Sequence, residues 1–328
     1  MAGRATHLHP HTLSTVKSLI KIVGKSVVYR TIENLTKLTD EPIEEIAFII
    51  KEPNETVETN LRSIADEFKA SCKIYFQGQP KGSGHAVLCA RESLKGSVLI
   101  AFTNRLFDVK DSFNRVEDAI VWVKKVEKPQ LHDIVKINES QLITGFHHKP
   151  QKYISEHALI GVYYFKKAED LLQALTFLEE SETKTSDEYQ LISALIRMRA
   201  LGTSFVPAFA DNWFELANKQ GVIKTSQKYL EKMDAYELIS EEASIIHSII
   251  IKPSFIGKGT YIENSVIGPY ACIEEGTSVY NSVVQDSVIG EDCNLDRVNM
   301  VNSLIGNYVK IHGSPSTLDV GSYNKIIQ

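Results

Sequence analysis

The run FIGKGTYIENSVIGPYACIEEGTSVYNSVVQDSVIG, Phe255 to Gly290, decides the architecture of the C-terminal part of the chain. Its apolar residues come in short β-branched runs closed by glycine: Ile256-Gly257, Ile267-Gly268, Ile289-Gly290 and, further on, Ile305-Gly306. Ile262, Ile273, Val279 and Leu295 fill positions between them. A short fixed period means stacked coils, each burying its apolar face against the next. An aliphatic residue at about every sixth position gives a triangular coil with those side chains inside, a left-handed parallel β-helix. Asn264-Ser265-Val266, Asn281-Ser282-Val283 and Asn302-Ser303-Leu304 repeat one local pattern along it. The period is imperfect, and consecutive β-hairpins are the competing reading. Hairpins favour Asn-Gly or Asp-Gly turns, and the segment has neither. Residues 236–328 are assigned to the β-helix.

Upstream, residues 1–235 read as an α/β domain. From Pro42, apolar runs alternate with helical patterns: IEEIAFII, TVETNLRSIADEFKA, CKIYFQ, GHAVLCARESL and SVLIAF. Strands separated by helices imply a mixed, mainly parallel, Rossmann-like sheet that binds ligands at strand C-terminal ends. AIVWVKKVE, HDIVKIN, LITGFHHKP and LIGVYYF add strands, some of them antiparallel. LLQALTFLEE and EYQLISALIRMRALG follow as helices, the second stopped by Gly202. Tyr163, Tyr164 and Phe165 fit sheet core better than a base-stacking platform.

The chain has 328 residues, 43% hydrophobic and 23% charged, with a net charge of −5. It can bury substantial cores, and it lacks the basic excess expected of a partner of nucleic acid or an anionic membrane. Cys72, Cys89, Cys272 and Cys293 form no CxxC pair, so neither a zinc site nor a disulfide framework is signalled. No apolar run approaches the roughly 18 residues of a membrane span, and no hydrophobic signal core opens the chain. The expected compartment is the cytoplasm.

Residues Met1 to Leu19, MAGRATHLHPHTLSTVKSL, place Ala2, Gly3, Thr6, Leu8, Pro10, Thr12, Lys17 and Leu19 as in a loop of the form AGGxGTRLxPxTxxxPKPL. That loop is the signature of sugar-1-phosphate nucleotidylyltransferases, and the chain resembles their glucose-1-phosphate thymidylyltransferase-like branch. The resemblance continues in order through Gln77, Pro80 and Gly82 of QGQPKGSGHA, Lys149-Pro150 of FHHKP, Gly161 of LIGVYYF, Glu188 of DEYQL, and Trp213, Glu215 and Lys219 of WFELANK. It implies that Ala2 and Gly3 bring backbone N–H groups to nucleotide phosphates, with Lys17 and position 7 neutralising them. By the same resemblance Gln77 reads a pyrimidine base, and Pro80 and Gly82 admit the nucleotide. Lys149 contacts the sugar phosphate, Glu188 a sugar hydroxyl, and Asp133, Gly161 and Lys219 stand at sugar-side positions. The reaction implied is attack of a sugar phosphate on the α-phosphorus of a nucleoside triphosphate with release of pyrophosphate. Its catalysis is positioning plus charge neutralisation by Mg²⁺ and basic groups. The metal positions correspond to Asn104 and Glu215.

Several positions depart from the pattern. Ala5 replaces a glycine, His7 an arginine, Val16 a proline, Asp133 a glycine, His148 a glutamate and Ala217 a glycine. Asn104 keeps an oxygen but no charge where an aspartate is usual, and Glu215 carries its carboxylate further out than an aspartate would. Mg²⁺ needs hard anionic oxygens in near-octahedral geometry, and a misplacement near 1 Å can cost about 10²-fold. The reading is a homologue with weak or lost turnover that holds a nucleoside triphosphate or nucleotide-sugar. It acts as a regulatory or structural subunit, in a homo-oligomer or in a hetero-oligomer with an active paralogue. The alternative is an active thymidylyltransferase-like enzyme using Glu215, Asn104 and waters for Mg²⁺, with Lys17 and Lys149 as phosphate clamps; Mg²⁺ is a cofactor only in that case. An acyltransferase on the β-helix is a third class, with only His247 and His312 available to it. A metal site built from His7, His9, His11, His147 and His148 lacks a carboxylate nearby in sequence. Members of the resembled family carry an apolar strand before the glycine-rich loop; the sequence opens at the loop itself, so the expectation is a start further upstream.

Overall fold

A computed structural model of the chain describes residues 8, 10–12, 16–109, 113, 116–181, 190–234 and 236–314. They pack as two compact units. The first holds the described residues up to Asn218 apart from Lys21–Gly24, and the second holds Lys21–Gly24 with the described residues from Lys219 onward.

In the first unit the strand Glu45–Ile50 runs parallel to Ser71–Phe76 through the helix Glu55–Glu67. Asn54 starts that helix because its side chain accepts from Val57 N at 3.0 Å, while its own N–H donates to the Glu58 carboxylate at 3.3 Å. Val57, Leu61, Ile64 and Ala65 recur on one helix face and bury against Phe48 and Ile50.

The larger sheet is built around His157–Phe165. This strand pairs antiparallel with Val98–Ala101, Ala119–Lys125 and Ile134–Ile137, and Phe205–Phe209 adds in parallel to Ala119–Lys125. The layer is mixed. Antiparallel pairing takes a larger share than strand–helix alternation implies, because Ala119–Lys125, Ile134–Ile137, Ile143–His147 and His157–Phe165 follow one another without intervening α-helices. Val121, Val123, Leu159, Tyr163, Phe165 and Phe205 form its core on one side, under the helices Ala168–Glu180 and Leu191–Ala200. Gly202, past the end of the second helix, has φ +103°, which glycine adopts without a Cβ penalty. Tyr163, Tyr164 and Phe165 are all buried.

The second unit is three ladders of short parallel strands. One runs from Ser244–Ile246 through Tyr261–Glu263, Ser278–Tyr280 and Asn294–Asp296 to Lys310–His312. The others begin at Ile249–Ile250 and Phe255–Ile256. This is a parallel β-helix, and the stacking fits the left-handed form. Ile256, Ile262, Ile267, Ile273, Val279, Val284, Ile289 and Leu295 fill its interior at 0% exposure.

The Asn-Ser pattern now has a cause. Asn264, Asn281 and Asn302 sit at φ +49 to +50°, the left-handed region that asparagine tolerates better than most residues. The serine hydroxyls link coils: Ser282 N donates to Ser265 Oγ at 3.0 Å and Val298 N to Ser282 Oγ at 3.1 Å. The helix Lys219–Lys232, which the sequence groups with the α/β part, packs in this unit through Val222, Ile223, Tyr229 and Leu230, and Gln227 donates to Asp286 at 2.9 Å. Among the described residues no helix is long and apolar enough to cross a membrane.

Candidate functional site

A cavity in the first unit is lined by Phe102, Arg105, Leu131, His132, Asp133, Lys149, Leu159, Gly161 and Tyr163. It thus gathers Asp133, Lys149 and Gly161 from three segments separated in sequence. Gly161 interrupts the long strand at φ +85°, inside the register shift between Leu159 and Tyr163. A Cβ there would stand 3.0 Å from the Phe102 ring, so glycine keeps the cavity wall open. Lys149 has φ +37°. The following Pro150 disfavours the right-handed helical region for it, and a non-glycine residue in left-handed backbone marks a position worth functional attention.

Glu215 joins this site through Arg105. The strands Arg105–Asp108 and Asn212–Glu215 are antiparallel with Glu215 directly opposite Arg105, so register brings the two side chains together. An Arg105 Nη2 donor lies 3.2 Å from Glu215 Oε1. The guanidinium also lies over the Trp213 ring, 4.4 Å from its centroid. Burial pushes the guanidinium below its ordinary range against the opposing pull of Glu215. Lys17 sits half-buried beside the pair: desolvation first, and then repulsion from Arg105, lower its pKa, while Glu215 raises it.

The second carboxylate is engaged too. Asp133 Oδ1 lies 2.7 Å from His148 Nδ1, so two residues that depart separately from the resembled pattern bond to each other. His132 has its pKa lowered by burial, with repulsion from Arg105 adding to the effect and Glu215 and Asp133 opposing it. Its Nδ1 and the Trp213 Nε1 are buried without a partner among the described residues, and the two rings meet edge to face at 5.2 Å. Buried polar atoms without a partner are costly unless something polar meets them, and His132 is one of the residues lining the cavity.

The other expected residues lie elsewhere. Gln77 is buried, and its amide nitrogen donates to Gly82 O at 3.0 Å and lies 3.0 Å from His85 Nδ1. Gly82 has φ +97° just before the short helix Ser83–Cys89, and Pro80 is exposed. Lys219 belongs to the second unit, where its ammonium donates to Asn302 O at 3.0 Å. Asn104 is exposed in the turn before Arg105. Ala2, Gly3, His7 and Glu188 lie outside the described residues. Arg105 and His132 are additions the sequence reading missed, although Arg105 adjoins Asn104.

A divalent ion does not fit the donors present. Asn104 offers an amide, Glu215 is bonded to a guanidinium, and among the described residues no group of three His, Cys, Asp or Glu could hold a metal. Magnesium asks for several anionic oxygens with room for its waters.

The site is thus a cation-rich cavity on an α/β sheet, in a chain that ends in a β-helix. The nucleotidyl transferase family model matches residues 1–232, and the chain belongs to that family. It is similar to a glucose-1-phosphate thymidylyltransferase of Streptomyces griseus, 24% identical over 95% of this chain and 92% of that protein. It is also similar to the bifunctional protein GlmU of Methanococcus maripaludis, 26% identical over 89% of this chain and 77% of that one. Among solved structures, a Bacillus anthracis chain titled as a putative glucose-1-phosphate thymidylyltransferase in complex with a sucrose superposes with a TM-score of 0.57. It is 15% identical and covers 71% of this chain and 94% of its own, a likeness of fold.

Proposed function

We propose that this chain holds a sugar phosphate, nucleotide or nucleotide-sugar in the cavity beside Gly161 with weak or lost turnover, and serves as a regulatory or structural subunit. The observation that carries this reading is the engagement of both site carboxylates, Glu215 by Arg105 and Asp133 by His148. Neither is left bare for the cation on which nucleotidyl transfer depends. Lys17 and Lys149 persist as phosphate-binding groups, which supports retention of the ligand. The test is a coupled assay of pyrophosphate release with glucose 1-phosphate and each nucleoside triphosphate. The expected result is no turnover above background; rates of about 1 s⁻¹ or more, the ordinary range for enzymes, would overturn the reading.

The alternative, an Mg²⁺-dependent thymidylyltransferase-like enzyme, draws on the half-buried Lys17 beside Glu215. It requires Lys17→Ala to abolish turnover. The expected partner is a second copy or an active relative. On the β-helix, Ile249, Val283 and Val301 stand exposed on one ladder's outer face, and such apolar exposure suits a subunit contact. Light scattering that finds only the 36.8 kDa monomer mass, alone and with relatives added, would remove that role.

A further inference from the structure

We propose that Arg105 is the resident cation of this site, so that the cavity binds a phosphate ester without any divalent metal. The inference rests on the reading above that the cavity takes such an ester. Three observations carry it. First, the guanidinium is fixed in place: it faces Glu215 across the strand pair at 3.2 Å and lies on Trp213 at 4.4 Å, while lining the cavity. Second, that single bond to Glu215 is its hydrogen bond among the described residues. A guanidinium has five N–H donors in a planar fork, so a face remains for the bidentate contact that arginine makes with phosphate oxygens. Third, Lys149 lines the same cavity and Lys17 approaches Arg105 against like-charge repulsion, while His132 Nδ1 is buried without a partner. An anion between these groups relieves the repulsion and, with the His132 proton on Nδ1, gives that nitrogen an acceptor.

A metal ion entering instead would have to compete with Arg105 for Glu215 and leave a partly buried guanidinium without that partner, which costs free energy. Arginine cannot dissociate as a metal does, so the site keeps its charge under all metal concentrations. It cannot, however, bridge two phosphates and reorganise during transfer as Mg²⁺ does. Permanent binding capacity and poor catalysis therefore follow from the same substitution of cation.

The test is titration calorimetry of the full chain with glucose 1-phosphate, in EDTA and in Mg²⁺. The expected result is the same affinity in both buffers. Arg105→Gln should lose about tenfold or more of it, the loss ordinarily seen on removing a charged hydrogen-bond donor. Arg105→Lys, which keeps the charge and loses the fork, should fall between. Unchanged thermal melting of the variants separates loss of binding from loss of fold. If Arg105→Gln unfolds, the lysine variant and the metal dependence of the wild type decide. Binding that appears only with Mg²⁺ overturns the role of Arg105 and leaves the phosphate-ester reading standing; no binding in either buffer overturns that reading itself. Electron paramagnetic resonance with Mn²⁺ gives an independent readout. The free-ion signal should persist in the presence of protein, and stoichiometric loss of it that Glu215→Gln abolishes would refute the proposal.

Discussion

Glu215→Gln separates the two views of this site by the sign of its effect. If Glu215 held a metal for a phosphate ligand, removing its charge would weaken binding. With Arg105 as the cation, Glu215 competes with the phosphate for the guanidinium, and removing its charge strengthens binding. The magnitude follows from geometry. A phosphate on the free face of Arg105 would lie roughly 5 Å from the carboxylate, where two like charges repel by about 3 kcal/mol at an effective dielectric of about 20 and by about 0.8 kcal/mol in water. The Glu215 side chain is 49% exposed, so the true value lies toward the aqueous end. About 1 kcal/mol is expected, or roughly a fivefold gain in affinity for glucose 1-phosphate. Calorimetry in EDTA at low ionic strength reads it directly, and added salt should shrink the gain because exposed charges are screened. A weaker complex than the wild type would refute the competition between Glu215 and the ligand.

Gly161→Ala places a Cβ at φ +85° and 3.0 Å from the Phe102 ring, which should destabilise the first unit by about 1–3 kcal/mol and lower glucose 1-phosphate affinity, as read by denaturant titration and calorimetry. Ser282→Ala removes the acceptor of Val298 N at 3.1 Å between coils, and the N–H left unsatisfied should cost about 1–3 kcal/mol in urea unfolding. Lys17→Met tests the direction of the Lys17 shift. The folded protein lowers this pKa by desolvation and by Arg105, so the protonated form is penalised at neutral pH and the penalty is released as pH rises through the folded value toward the ordinary lysine value. The methionine variant should therefore be stabilised relative to wild type near pH 7, with the difference narrowing as pH approaches 10.5. A difference that stays constant or widens with pH would contradict the shift.

The β-helix was legible in the sequence because its determinants are local and periodic. Ile262, Ile273 and Val279 announce an interior, and the recurring Asn-Ser pattern marks the repeat, although its cause, an asparagine at positive φ, shows only in the structure. Gly161 was named from the sequence alone, but the Phe102 ring that a Cβ there would meet was not. What escaped was pairing across long separations. Arg105 and Glu215 are 110 residues apart and meet because one strand register sets them opposite. Asp133 and His148 are 15 apart and meet across a turn of the sheet whose shape the sequence does not state. Read singly, Asn104, Asp133, His148 and Glu215 look like scattered losses of charge and fit. Lys219 is another such case: its neighbourhood in sequence is the α/β part, but its ammonium bonds within the β-helix unit.

The pairs also constrain how the site could change. A bare carboxylate or guanidinium at a partly buried position costs free energy that neither residue incurs when paired, so Arg105 and Glu215 are coupled: altering one changes what the other should be. A shorter carboxylate at position 215 would leave the Arg105 contact with Trp213 in place. Removing Arg105 alone would free a carboxylate without supplying the second anionic ligand that Asn104 fails to provide. On the proposal that Arg105 is the site's cation, metal dependence would require a concerted change at 104, 105 and 215, whereas metal-free anion binding would need only the arrangement already present. In the proposed reading the cavity is an alternative solution to phosphate recognition, and loss of turnover is a consequence of that solution.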